Sequence, residues 1–246
     1  AIEQHQLSLA YQPEVLLDDG RLVGAEALLR WRNGGGEVSR PSEFVPVAEE
    51  TGLIVPIGAW VIREACGHLA RWRELAPDRA PRTVSVNVSG RQLGRPDLPE
   101  VVEDALHESG LDPGSLCLEI TESVLMEDIE GTVAALKVLK AIGIDLAVDD
   151  FGTGYSSLAH LRRFPVDVLK IDHSFVSGLG RNPEDSAIVR AVLGLARTLD
   201  LAVVAEGVER ADQLQELRAL GCERAQGHLF SPPLAEPDFA NLLQNG

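Results

Sequence analysis

Residues 144–152 have the sequence IDLAVDDFG, in which the apolar run LAV (146–148) is followed by two adjacent carboxylates, a phenylalanine and a glycine. The run is apolar at successive positions and therefore on both faces of a strand, which is typical of strands buried in a parallel sheet. Asp149 and Asp150 come where such a strand should end. The stretch therefore predicts an α/β fold with acidic side chains at the carboxyl end of a buried strand.

Runs of this kind recur along the whole chain and alternate with longer amphipathic stretches. The other strand-like runs cover residues 7–15, 22–31, 83–89, 116–122, 166–172, 201–208 and 223–230. The helix-like stretches cover residues 42–51, 57–75, 98–109, 128–142, 184–199 and 210–220. Eight strands with intervening helices predict a (β/α)8 TIM-type barrel, and an open doubly wound sheet is the alternative.

The ends of several helices can also be placed. Gly110, Gly143 and Gly221 stand where three helices should stop, and Ser42 is predicted to be the N-cap of the first helix. Nothing between the elements is long or low in complexity, so residues 1–246 are predicted to form a single domain.

The chain is acidic, with 22 Lys and Arg against 38 Asp and Glu and a formal net charge of −16. This balance argues against a sequence-independent DNA or RNA binder, which needs a basic face. An acidic protein that acts on an anionic substrate needs bound cations to attract it.

The cysteines and the methionine bear on the cellular setting. Cys66, Cys117 and Cys222 lie far apart without CxxC spacing, which predicts buried thiols in a reducing compartment, the cytoplasm. No apolar run reaches membrane-spanning length and no signal peptide is recognisable, so direct membrane insertion of this segment is not expected. Because Met126 is the only methionine, we expect a longer parent protein with an N-terminal neighbour, and that parent could be membrane-anchored.

Polar residues stand at the carboxyl ends of the strand-like runs. Seven consecutive runs carry one there: Glu26, Asn87, Glu119, Asp149 with Asp150, Lys170, Glu206 and Gln226. A single acid at such a place is usually a helix cap or an ion-pair partner. In a parallel barrel, however, these ends converge on the face where barrel enzymes keep their active sites. We therefore predict one site built from the whole set.

This predicted site holds five carboxylates and one lysine, so further positive charge is needed. Carboxylate and amide oxygens favour Mg²⁺ or Mn²⁺ over Zn²⁺. The adjacent Asp149 and Asp150 suggest that one carboxylate bridges two ions, and two ions are the usual clamp for in-line displacement at phosphorus. The residues thus predict a two-metal site for phosphoryl chemistry.

Other motifs are less informative. The stretch DDFGTGYSS (149–157) lacks the GxxxxGK[ST] pattern of a P-loop, so we interpret it as a mobile loop over the site. The six histidines show no HExxH spacing and are interpreted as surface or packing residues.

Several short motifs occur in a fixed order from residue 11 to residue 234. They are YQPEV (11–15), GAEALLRW (24–31), PSEFVPVAEETGLI (41–54), VNVS (86–89), LEITES (118–123), DDFGTGYSSL (149–158), LKID (169–172), AEGVE (205–209) and QGHLFSPPL (226–234). This ordered set, with Glu-Ala-Leu at 26–28, resembles the EAL family of cyclic di-GMP phosphodiesterases and covers nearly the whole chain.

The resemblance implies a barrel with an irregular, antiparallel first strand near 7–15 and two bound Mg²⁺ or Mn²⁺ ions. The implied metal ligands are Glu26, Asn87, Glu119, Asp149, Asp150 and Glu206. Lys170 would hold the catalytic water, and Glu122 would anchor the loop 149–158. The implied substrate-binding residues are Gln12, Leu28, Arg30, Glu209 and Gln226.

The implied reaction is hydrolysis of cyclic di-GMP to linear pGpG by metal-activated water, with Glu206 as a candidate general base. A catalytically silent cyclic di-GMP receptor and a domain gated by an upstream regulatory partner are the alternatives. Family members often dimerise through elements that here correspond to residues 153–163, so a homodimer is expected.

The chain departs from the family pattern at three positions. It has His228 where tyrosine is common, Pro232 where a basic residue is common, and Glu14 as an added charge beside YQP. None of the three is an implied metal ligand, so we expect activity.

Overall fold

The strands of the protein form one sheet that closes on itself. The computed structural model describes residues 6–32, 38–39, 41–153 and 158–245. The strands are β1 (Leu7–Leu16), β2 (Leu22–Arg32), β3 (Val38–Ser39), β4 (Thr83–Asn87), β5 (Leu116–Thr121), β6 (Asp145–Phe151), β7 (Val168–Ile171), β8 (Ala202–Ala205), β9 (Arg224–Gln226) and β10 (Leu234–Ala235).

The helices lie mostly between successive strands. They are α1 (Pro41–Thr51), α2 (Ile54–Leu75), α3 (Gly90–Leu93), α4 (Leu98–Ser109), α5 (Glu122–Glu127), α6 (Ile129–Ile142), α7 (Leu158–Leu161), α8 (His173–Ser177), α9 (Pro183–Leu199), α10 (Ala211–Leu220) and α11 (Glu236–Asn245). A 3-10 turn (Pro113–Ser115) precedes β5. No helix in the described ranges is long and apolar enough to cross a membrane.

Eight of the strands make a closed barrel. Their order is β1, β2, β4, β5, β6, β7, β8 and β9, and β1 closes the ring by pairing with both β2 and β9. The pairs from β2–β4 to β8–β9 are parallel, whereas β1 is antiparallel to both neighbours and shifts register between Glu14 and Val15. The predicted TIM-type barrel with an irregular, antiparallel first strand is thus confirmed, and the open sheet is excluded.

The alternation of side chains along a strand separates two environments. In β5, Leu116 and Leu118 are fully buried on the outer face, towards the helices. Cys117 and Glu119 alternate with them and therefore point into the barrel. Both faces of such a strand are buried. Its sequence is therefore largely apolar, even though the inner face carries one functional polar residue.

The three helix ends that were predicted from glycines are confirmed, whereas the predicted start of the first helix is not. Gly110, Gly143 and Gly221 adopt left-handed conformations at the ends of α4, α6 and α10, as predicted. The predicted N-cap at Ser42 is wrong, because α1 already begins at Pro41. A proline suits the first position of a helix, where its missing N–H leaves no hydrogen bond unmade.

The last barrel strand is shorter than the predicted run 223–230. It ends at Gln226 because Gly227 has a φ of 155° and lies so close to Val208 that a Cβ atom would meet the Val208 carbonyl oxygen at 2.2 Å. The chain then turns back, and β10 adds to the outer edge of β1 through Leu234 and Tyr11.

Candidate active site

The side chain of Lys170 stands at the centre of a ring of carboxylates at the carboxyl end of the barrel. Its Nζ atom lies 2.5 Å from Glu119 Oε2 and 2.6 Å from Glu206 Oε1. It also lies 3.1 Å from Glu26 Oε2 and 3.3 Å from Asp149 Oδ1. Four strands that are distant in sequence thus place four acids around one ammonium group.

Two amide side chains complete this ring. Asn87 Nδ2 donates to Glu26 Oε1 at 2.8 Å, and Gln226 Nε2 donates to Glu26 Oε2 at 2.6 Å. Gln226 Nε2 also lies 2.9 Å from Glu206 Oε1. Both oxygens of Glu26 therefore have fixed partners. We call the seven residues the catalytic layer: Glu26, Asn87, Glu119, Asp149, Lys170, Glu206 and Gln226.

Strand register explains why these residues are level with one another. Asn87 pairs with Glu119 across β4 and β5, and Gln12 pairs with Glu26 across β1 and β2.

Lys170 is 2% exposed, so its ammonium group has little access to solvent. The cost of removing this charge from water is offset because carboxylates pair with it on several sides.

Burial and charge pull the ionisation of the catalytic layer in opposite directions. Burial lowers the pKa of Lys170, but the surrounding carboxylates outweigh it and hold that pKa well above the ordinary value. Burial and the charge of Glu26 raise the pKa of Glu119 well above its ordinary value. At Glu206, burial raises the pKa to about 8, although the charge of Lys170 acts to lower it. One lysine therefore does not compensate the acids gathered around it.

A second group of acids adjoins this layer. Oxygen atoms of Asp149, Asp150 and Glu206 lie within 4.8 Å of one another. Within the described residues, Asp149 Oδ1 is buried and accepts no hydrogen bond, although Lys170 Nζ is nearby. A buried oxygen without a donor, next to two further carboxylates, suits a hard divalent cation with oxygen ligands.

The backbone of Asp150 is unusual at this place. Its φ is 54°, the left-handed region that few residues other than glycine adopt, and it interrupts the pairing of β6 with β7. Burial and the neighbouring charge of Asp149 raise the pKa of Asp150 to about 6. Its carboxyl group hydrogen-bonds with that of Asp172, which lies just after β7. Strained backbone at a carboxylate cluster is typical of functional sites.

Glu122 contacts the loop that follows these aspartates. Its Oε2 atom accepts a hydrogen bond from the backbone N–H of Gly152 at 2.7 Å. Gly152 has a φ of 100°, and a Cβ atom there would lie 2.8 Å from the ring of Phe175. Residues 154–157, in the middle of the predicted mobile loop, lie outside the described part of the chain.

The predicted substrate-binding residues are more scattered than the catalytic layer. Gln12 Nε2 donates to the carbonyl of Ser231 at 2.7 Å. Leu28 and Arg30 are half-buried further along β2, and burial lowers the pKa of Arg30 while Glu26 opposes the shift. Glu209 is exposed on the segment after β8. Gln226 alone in this group is part of the catalytic layer.

Three residues near the site were missed by reasoning from the sequence. Asp172 follows β7 directly, so a strand-end acid was there to be noticed. Gln213 occupies an inward position of α10, four residues before the buried Leu217, and a polar residue in an apolar stripe is an available signal. Arg224 forms an ion pair with Glu14 on the neighbouring strand β1, although its register partner there is Leu16, and only the folded structure reveals this contact.

Glu14 and Arg224 form a lower layer inside the barrel, below the catalytic layer. Glu14 is 8% exposed, and its Oε1 atom lies 3.4 Å from Arg224 Nη1. Burial raises the pKa of Glu14, and the charge of Arg224 opposes the shift. A cavity of about 30 Å³ between Glu14 and Lys170 separates the two layers.

Comparison with known proteins identifies the relatives of this chain. The model of the EAL domain matches residues 1–233. The bifunctional diguanylate cyclase/cyclic di-GMP phosphodiesterase MucR of Pseudomonas aeruginosa is 44% identical over 95% of this chain. The cyclic di-GMP phosphodiesterase NbdA of the same organism is also 44% identical over 95% of it.

A solved structure of the PaMucR phosphodiesterase in complex with c-di-GMP superimposes with a TM-score of 0.91 at 43% identity, covering 97% of this chain and 96% of that one. The chain spans about a third of the length of the curated relatives it matches, 34% of MucR and 30% of NbdA. The match over nearly the whole length and the shared barrel lead to one conclusion: the chain belongs to the EAL domain family.

Proposed function

We propose that this chain is a metal-dependent phosphodiesterase that hydrolyses cyclic di-GMP to linear pGpG. The observation that carries the proposal is the excess of acids around Lys170, together with the Asp149 oxygen that lacks a hydrogen-bond donor among the described residues. Such a site is incomplete without bound cations, and cations are what a phosphodiester requires of an acidic protein. The relatives described above, which are named for this activity, support the same substrate.

The bound cations we propose are two Mg²⁺ or Mn²⁺ ions. The residues that would hold them offer oxygen atoms only: Glu26, Asn87, Glu119, Asp149, Asp150 and Glu206. Divalent ions bound there would acidify a water molecule and offset charge on the phosphoryl oxygens. Among the described residues, the cluster of candidate metal ligands contains carboxylates and neither a thiol nor an imidazole, which is the reason for preferring the hard ions to Zn²⁺.

The protein side chains have separate tasks in this proposal. Lys170 orients the attacking water through Nζ and balances the charge of Glu26 and Glu119. Glu206 is the candidate general base, because its Oε1 atom lies 2.6 Å from Lys170 Nζ and thus beside any water held there. Gln226 fixes Glu206 from the other side at 2.9 Å. Glu26 and Asp149 complete the catalytic set as charged groups that face Lys170.

The substrate would lie above the catalytic layer, along β1 and β2. Arg30 is suited to a phosphate group because its guanidinium offers several donors and is half-buried. Gln12 is the register partner of Glu26 and its amide is held by the Ser231 carbonyl, and Leu28 supplies an apolar surface two residues beyond Glu26 on β2. Glu209 and Gln226 would close the site from the opposite side.

The deciding experiment is turnover of the isolated chain. Cyclic di-GMP is incubated with the protein and Mg²⁺ or Mn²⁺, and pGpG is separated from the substrate by chromatography. Formation of pGpG in proportion to protein supports the proposal. Tight binding of cyclic di-GMP without pGpG, under both metals, would instead identify a receptor domain, and no binding would refute both.

We also propose that residues 1–246 are one cytoplasmic phosphodiesterase domain of a longer protein, regulated by an upstream domain, and that this domain binds neither DNA nor RNA and does not itself insert into a membrane. The greater length of the curated relatives supports the upstream domain. A homodimer through residues 153–163 is the proposed assembly. Sedimentation at micromolar concentration tests it, and a fully active monomer would refute coupling between assembly and activity.

A further inference from the structure

The segment that carries Glu206 and Glu209 has little secondary structure of its own. It follows β8 and precedes α10, and Gly207 within it has a φ of 69°. Backbone hydrogen bonds hold Glu206 and Val208, whereas the backbone N–H groups of Glu209 and Arg210 bind a side chain. In the described structure two side chains join this segment to α8 and the turn after it: one binds backbone N–H groups of the segment, and the other reaches from the segment to backbone carbonyls.

Gln213 is the first of them. It is 1% exposed, and its Oε1 atom accepts hydrogen bonds from the backbone N–H groups of Glu209 and Arg210, both at 2.8 Å. Its Nε2 atom donates to the carbonyl oxygen of Val176 in α8 at 2.9 Å. A single buried amide thus joins the Glu209 segment to the helix that follows Lys170 on the neighbouring strand.

Arg210 is the second. Its guanidinium donates to the carbonyl of Ser177 at 3.1 Å and to that of Leu179 at 3.0 Å. These two carbonyls belong to the end of α8 and the turn after it, next to the Val176 carbonyl that Gln213 binds. Arg210 also pairs with Asp212 at 2.9 Å, which fixes the direction of the guanidinium.

We infer that Gln213 and Arg210 form a clasp that positions Glu209 for substrate. Gln213 is a positioning residue, because it touches neither the catalytic layer nor the space above it and acts on the backbone of Glu209. A structural helix cap alone would need only the bond to the Arg210 N–H; the bond to the Glu209 N–H and the bond to Val176 exceed that requirement. The inference rests on the proposed function, since it assigns Glu209 to substrate.

The test replaces Gln213 by leucine, which preserves volume and removes all three hydrogen bonds. We expect Gln213→Leu to raise KM for cyclic di-GMP by about tenfold with a smaller fall in kcat, because misplacing a positioning group by a fraction of an ångström is costly. Gln215→Leu is the matched control, because Gln215 is exposed on the same helix and is expected to leave both constants unchanged.

A double-mutant cycle with Glu209→Ala distinguishes positioning from general damage to the fold. If Gln213 acts through Glu209, Gln213→Leu causes little further loss once Glu209 is alanine. Additive losses, or a Gln213→Leu variant with the KM of wild type, would overturn the inference. Absence of turnover in the wild-type protein would count against the proposed function instead.

A readout independent of activity is hydrogen–deuterium exchange in the segment 205–212. The N–H groups of Glu209 and Arg210 are expected to exchange faster in Gln213→Leu than in Gln215→Leu, and equal exchange in the two variants would contradict the clasp. If Gln213→Leu does not fold, Arg210→Ala removes the bonds to Ser177 and Leu179 from a half-buried position. It is expected to raise both KM and exchange, and a folded Arg210→Ala variant with neither change would refute the inference.

Discussion

The catalytic layer and the lower layer place charged groups inside the same barrel in opposite ways. In the lower layer, one acid faces one base, Glu14 and Arg224. In the catalytic layer, four acids face one lysine. Both layers are enclosed by the same strands, so the surrounding protein does not account for the difference.

We interpret this difference as one between buried charges that serve the fold and buried charges that serve the proposed chemistry. A balanced pair is complete in the protein alone, and its exchange for apolar residues of similar volume is often neutral or stabilising for the fold. An unbalanced cluster must either bind a cation or take up protons, which the raised pKa values of Glu119 and Glu206 reflect. The catalytic layer is therefore expected to respond to metal and substrate, whereas the lower layer is expected to respond only in stability.

Metal removal tests the excess of negative charge in the catalytic layer most directly. Exhaustive chelation is expected to reduce hydrolysis of cyclic di-GMP to the level of a protein-free sample, and Mg²⁺ or Mn²⁺ should restore it. Ca²⁺ is expected to inhibit, because its larger and looser coordination shell misplaces the attacking water. Full activity after chelation would mean that the catalytic layer needs no metal, and the expected difference in metal response between the two layers would not hold.

The next largest effect is expected from the centre of the catalytic layer. Lys170→Ala should lower kcat by about 10²–10⁴, or roughly 3–5 kcal/mol of barrier, because water-orienting groups have effects of this size. The dissociation constant for cyclic di-GMP should change by less than about tenfold. Single-turnover hydrolysis and calorimetric binding on the same variant measure the two quantities.

A control for this variant is Lys137→Ala, because Lys137 is exposed on α6 and distant from the barrel interior. It should leave both constants unchanged. Near-normal turnover of Lys170→Ala would mean that the lysine only balances charge, as Arg224 does below it.

The lower layer should affect stability and not turnover. Arg224→Met leaves Glu14 as a buried carboxylate without its partner. We expect a loss of about 2 kcal/mol in the free energy of unfolding at pH 7, less than for a fully buried pair, since the Arg224 side chain is 36% exposed. Urea unfolding of the variant and of the Glu14→Gln/Arg224→Met double variant measures it, and the double variant should recover most of the loss.

The pH dependence of that loss has a definite sign. Burial raises the folded-state pKa of Glu14 above its ordinary value of 4.5, so the charged carboxylate destabilises the fold at pH values above the raised pKa. Without Arg224 the pKa should rise further. The deficit of Arg224→Met should therefore shrink as the pH falls from the pKa of Glu14 in the variant to the lower pKa of Glu14 in the wild-type protein, and a deficit that grows on acidification would contradict the assignment.

The smallest effect concerns the loop beside the catalytic layer. Glu122→Ala removes the acceptor for the Gly152 N–H and is expected to raise KM by about tenfold, since a hydrogen bond to a charged group contributes about 1.5 kcal/mol. Steady-state kinetics check this, with Glu127→Ala as a control on the exposed face of the same helix. Equal KM values in wild type and Glu122→Ala would leave the contact without a role in the site.

The parts of the molecule that could be predicted are those set by local pattern. The strands and long helices have periodic apolar residues, and Glu119 or Lys170 at a strand end is visible because its neighbours are apolar. Partners joined across the fold could not be predicted in the same way. Nothing near Gln213 in the sequence indicates Val176, and nothing near Glu14 indicates Arg224, because both pairings depend on how distant segments meet. The short helices α3, α5 and α8 were missed because a single turn leaves almost no periodicity.

The direction of β1 has a consequence for engineering this protein. In most (β/α)8 barrels the first strand begins at the end of the barrel opposite the active site. Here Leu7 pairs with Trp31, beyond Glu26 on β2, so the chain enters the barrel at the substrate end. A sensor module fused ahead of β1 would therefore be tethered beside the mouth of the enzyme. A short, stiff linker at that position could couple movement of the module to substrate entry, and a long flexible linker would uncouple them.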